Sequence, residues 1–66
     1  MAVMKVIEVL ANSNSSWEDA TKKAVKHASK SVKHMKSAFV QSQSVVVKDG
    51  EVSEFRVNVK ITFEVK

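Results

Sequence analysis

The chain has 66 residues, 44% of them hydrophobic, with one Gly, no Pro, no Cys and a formal net charge of +4. That length allows one small domain, expected over residues 1–66, and the composition excludes a disordered tail, a disulfide framework and a thiolate metal site. A domain this small buries only about 60% of the surface that its unfolded chain exposes, so self-association is the expected source of the missing stability.

No stretch approaches the roughly 18 consecutive apolar residues that mark a membrane span. The start, MAVMKVIEVL, lacks the basic region, long apolar run and small-residue cleavage site of a secretory signal. A cytoplasmic protein without a membrane partner is the expectation. So short a chain leaves no room for a cleft walled by two lobes, and an enzyme is not expected.

Residues 2–10 (AVMKVIEVL) are rich in Val, Ile and Leu and run into the polar segment ANSNSS, which reads as a strand followed by a loop. Val3, Ile7 and Val9 share one face with Lys5, and Met4, Val6 and Leu10 share the other with Glu8. Apolar groups on both faces predict a strand covered from two sides.

A helix follows. Ser15 is placed as its N-cap, with Glu18 three residues on completing a capping box. Trp17, Ala20, Ala24, Ala28, Val32 and Met35 recur every three or four residues, which predicts a helix from Ser16 to about Met35 with one apolar stripe. Glu18 and Asp19 open it and lysines fill its later turns, in the order the helix dipole favours.

Residues 38–48 (AFVQSQSVVVK) predict a second strand, and Asp49-Gly50 is a type I′ hairpin signal. In the third strand Phe55, Val57, Val59, Ile61, Phe63 and Val65 alternate with Glu54, Arg56, Asn58, Lys60, Thr62 and Glu64. One face is apolar and the other polar. The fold class is therefore α+β, in the order β-α-β-β, with one helix on the apolar face of a three-stranded sheet. The length of the last strand and the open sheet edges point to subunit pairing.

Six of the eleven basic residues, and none of the seven acidic ones, fall within residues 22–36 (Lys22, Lys23, Lys26, Lys30, Lys33 and Lys36). They read as a solvated helix face. Without interleaved aromatics or an Arg they give no base readout, and nucleic acid is not an expected partner. His27 and His34 are seven residues apart, with no Cys or carboxylate at ligand spacing, and read as surface histidines. Trp17 falls in the apolar stripe and is assigned to packing. Gln41 and Gln43 are placed on one face of the second strand, between Phe39 and Val45, where they would line a pocket or a wet subunit interface.

KVIEVLANSNSSWEDATKKAVKHASKSVKHMKS, then a strand containing Gln43, the hairpin VKDGEV and the strand EFRVNVKITFEV together resemble the dodecins over nearly the whole chain. The resemblance implies a sheet curled around one helix and a hollow homododecamer with cubic symmetry. It also implies a non-enzymatic protein that stores a small molecule, either a flavin (riboflavin, FMN or FAD) or coenzyme A. Flavin-binding dodecins place a stacking Trp at the start of the second strand, where this chain has Ser37. Trp17 matches the family's other Trp, which does not stack. By the same resemblance Gln43 and Arg56 are the polar ligand contacts, so Ser37, Gln43 and Arg56 form the candidate binding set. Family members lacking the Trp are associated with calcium. Glu8, Glu18 and Asp19 are the carboxylates placed in that role, with the oxygens contributed by several subunits.

Overall fold

The computed structural model describes residues 2–66; residue 1 of the expected 1–66 domain lies outside the described residues. The elements follow the expected order: β1 (Val3–Ser13), α1 (Trp17–Ala28), β2 (Met35–Lys48) and β3 (Glu51–Val65). All strands are antiparallel in the order β1-β3-β2, so the most regularly alternating strand is the central one.

The N-cap is Ser16, one residue later than the sequence suggests. Ser16 is extended, and its Oγ accepts from the Asp19 N–H at 2.9 Å. Ser15 belongs instead to a turn held by Ser13, whose Oγ accepts from the Ser15 and Ser16 N–H groups at 2.9 and 3.4 Å. The helix ends at Ala28, not near Met35. Tighter bonds take over there, Lys30 N–H to His27 O at 3.2 Å and Ser31 N–H to Ala28 O at 3.1 Å. The Ser29 hydroxyl donates to the Lys26 carbonyl at 2.6 Å, a local bond that competes with helix propagation. His34 then takes a left-handed backbone (φ 62°), and Met35 begins β2.

Ala20, Ala24 and Ala28 meet Val57, Val59 and Ile61 of β3 in the buried core, ringed by Ile7, Val9, Ala11, Trp17, Met35 and Val40. Alanine at each helix contact lets the backbone approach the sheet, so the β-branched side chains of β3 fill the space between. Trp17 packs edge-on against Phe55, with ring centroids 5.2 Å apart, and donates from Nε1 to the Ser44 carbonyl at 2.9 Å. Asp49 and Gly50 both have positive φ (51° and 78°), as a type I′ turn requires.

Twelve helical residues span roughly 18 Å, whereas the fifteen of β3 span about 50 Å. The chain measures 51 × 19 × 14 Å, with both ends of its sheet extending past the helix.

Candidate functional site

The register assigns each side chain to a face. Ala11, Val9 and Ile7 pair with Val57, Val59 and Ile61 on the helix side. Leu10, Glu8, Val6 and Met4 oppose Asn58, Lys60, Thr62 and Glu64 on the outer face. From β2, Ser37 and Phe39 join that face opposite Thr62 and Lys60. The coverage expected for both sides of β1 is absent within one chain: Met4, Val6, Leu10 and Phe39 are 46%, 57%, 70% and 63% exposed.

Arg56 projects from β3 onto this outer face, where its Nε donates to Asn12 Oδ1 at 3.4 Å. Asn12 Nδ2 in turn donates to Glu54 Oε1 at 3.4 Å. Holding Nε alone leaves both terminal nitrogens of the guanidinium free to grip a carboxylate or phosphate in a fork. Pattern alone places Asn12 in a loop. It reaches Arg56 because β1 runs on to Ser13, and no local signal in ANSNSS gives that extension. Beside this group the Asn58 side-chain carbonyl is buried without a hydrogen-bond partner.

Gln43 is on the other side of the sheet. The register of β2 slips between Val40 and Ser42, leaving Gln41 unpaired, so Phe39 faces outward while Gln43 opposes Val57 on the helix side. The shared face expected for Phe39, Gln41 and Gln43 is broken by this bulge. Ser37, opposite Thr62, lies six β3 residues from the position of Arg56, about 20 Å along the strand. One chain therefore does not bring Ser37, Gln43 and Arg56 together. Ser37 instead borders a groove of about 280 Å³ between α1 and the start of β2, walled by Val25, Met35, Ala38 and Ile61.

The three carboxylates are also apart. Glu8 is exposed on the outer face, whereas Glu18 and Asp19 are on the first turn of α1. Glu18 pairs with Lys22 at 3.2 Å and Asp19 with Lys23 at 3.0 Å. The Ser13 hydroxyl, and after it the Lys23 ammonium, hold the Asp19 carboxyl below its ordinary value. Among the described residues no three His, Cys, Asp or Glu side chains gather as a metal site. No helix of the described residues is long and apolar enough to cross a membrane.

Against known proteins, the chain is 32% identical over its whole length to the calcium dodecin of Mycobacterium tuberculosis, covering 93% of that protein. The crystal structure of that calcium-chelating antigen superposes with a TM-score of 0.84, covering 97% of this chain and 91% of that one. The Streptomyces coelicolor dodecin, 25% identical, gives a TM-score of 0.93 over 98% of this chain and 93% of its own. A mutant of the T. thermophilus dodecin gives 0.94 at 23% identity, covering 100% and 98%, a likeness of fold. Residues 3–66 match the Dodecin family model, and with the β-α-β-β fold and its register this makes the chain a member of the dodecin family.

Proposed function

We propose that this protein is a non-enzymatic binding and storage assembly, a hollow shell of twelve copies that holds its ligand where copies meet. The observation that carries this reading is the outer face of the sheet. Met4, Val6, Leu10 and Phe39 stand in solvent along it, and the Arg56–Asn12–Glu54 chain lies at one end of that row, next to Leu10. An apolar surface of that kind is characteristic of a protein contact, and polar groups at its edge fix orientation.

Calcium is the ligand this reading favours. The likeness to the M. tuberculosis calcium dodecin across the whole chain supports it, as does Ser37 in the place of the stacking Trp. Calcium takes about six to eight oxygens, and a symmetry axis supplies them by repeating one carboxylate from each copy. Glu8 suits this better than Glu18 or Asp19, since it faces away from the helix and those two already pair with lysines. The experiment is calorimetric titration of the metal-stripped particle, its mass fixed by light scattering, with Ca²⁺ and separately with Mg²⁺. Saturable Ca²⁺ binding that Glu8→Gln weakens is the expected result. No heat at millimolar Ca²⁺ retires calcium.

Arg56 favours a second reading, in which the shell holds a flavin or another anionic cofactor such as coenzyme A. Its free guanidinium fork suits a ring edge or a phosphate. Gln43 and Ser37 would reach the same ligand from neighbouring copies. Quenching of flavin fluorescence on the same particle tests it.

A further inference from the structure

We propose that the end of the sheet beneath residues 29–34 is a separate binding site for a phosphoryl group, on the face opposite Glu8 and Arg56. The helix stops at Ala28, yet β1 and β3 continue to Val3 and Val65, so at this end the turn covers the sheet in place of the helix. A groove of about 480 Å³ lies between them, within the roughly 300–1,000 Å³ of small-molecule sites. Its polar lining comes from three parts of the chain: Lys5 of β1, Ser31, Lys33 and His34 of the turn, and Glu64 and Lys66 at the end of β3.

Charge gives the groove its chemistry. Lys5, Lys33 and His34 line it, whereas the one carboxylate at its rim, Glu64, belongs by register to the outer face and already has the ammonium groups of Lys36 and Lys66 at 3.5 and 3.7 Å. Among the described residues neither Lys5 nor Lys33 has a carboxylate within ion-pair distance. Positive charge concentrated in a concave site focuses its field and draws anions.

The arrangement is also fixed. The Glu64 N–H donates to the His34 carbonyl at 3.0 Å, and the left-handed backbone of His34 turns the chain over the sheet end. Lys33 and His34 are thus tied to β3 through the backbone, whereas a free loop would let them swing. A phosphoryl group, with up to two charges and three acceptor oxygens, matches lysine ammonium groups beside a serine hydroxyl. Phe63, opposite Lys5, gives an apolar floor for the body of a phosphate ester.

The test is calorimetry on the assembled particle with inorganic phosphate, sodium pyrophosphate and phenyl phosphate, at an ionic strength held constant with NaCl. Saturable binding is expected, weakened about fivefold by either Lys5→Ala or Lys33→Ala, the effect of losing one exposed ion pair. Lys48→Ala, at the hairpin end, and Arg56→Ala, on the other face, are expected to leave it unchanged. Tighter binding of phenyl phosphate than of phosphate assigns an ester ligand, and equal binding a free phosphate. Absence of saturable binding overturns the proposal, as does equal weakening by Lys48→Ala, which would mean a diffuse field. Loss on Arg56→Ala would move the anion to the outer face. None of these results depends on calcium or flavin being the ligand there.

Discussion

The Ser13 hydroxyl donates to Asp19 Oδ2 at 2.6 Å while accepting from the backbone N–H groups of Ser15 and Ser16, so one buried side chain joins the end of β1 to the first turn of α1. Ser13→Ala removes all three bonds and leaves the two N–H groups without that acceptor. A loss of about 1–3 kcal/mol is expected, read as a lower urea midpoint with an unchanged slope.

The same contact sets an acid limit. Because the folded Asp19 carboxyl titrates below its unfolded value of about 3.8, its contribution is complete above that pH. It disappears as pH falls through the lower folded value. Melting temperatures of the native protein and Asp19→Asn are expected to differ at pH 6 and to converge below pH 3.8. A constant gap throughout would show that the carboxylate charge is not what matters.

Val59 is fully buried at the centre of β3, between Val9 and Val40. Val59→Lys places an unpaired charge there and is expected to abolish the proposed assembly. Val59→Ala, which only empties space, is expected to cost about 2 kcal/mol and to retain the particle by light scattering.

Ser37 and Phe39 share the outer face, one pleat apart. Ser37→Trp places an aromatic surface where the family resemblance puts the stacking Trp. Roughly 1 kcal/mol of stacking corresponds to about a fivefold gain in flavin affinity, measured by fluorescence quenching. No gain would mean that the surrounding pocket has been rebuilt.

Gly50 has φ 78° with nothing within 4 Å of where a Cβ would lie. Gly50→Ala therefore meets only backbone strain. A cost of about 1 kcal/mol is expected, visible as a lower melting temperature without loss of assembly.

The strand alternation from Phe55 to Val65 and the Asp49-Gly50 turn were fully legible in the sequence, because each depends on local periodicity or on a residue type that a turn demands. The helix C-terminus was not. Val32 and Met35 keep helical spacing with Ala28, and no Gly or Pro interrupts them. The break comes from the serine-rich stretch and the left-handed His34, and Met35 reaches the core from β2 instead. The candidate site was least legible. Which face Gln43 occupies depends on a one-residue bulge at Gln41, and Arg56 is held by an Asn12 that pattern assigns to a loop.

The central position of β3 also has a kinetic consequence. Its pairing with β2 closes across two turn residues, whereas its pairing with β1 joins Val3 to Val65 and must close almost the whole chain. Local contacts form before distant ones because loop closure costs entropy. The β2–β3 hairpin is thus expected to fold first, leaving one edge of β3 bare until β1 arrives. During that interval a β1 strand from another chain can compete for the same edge, so folding of the single chain should slow as protein concentration rises.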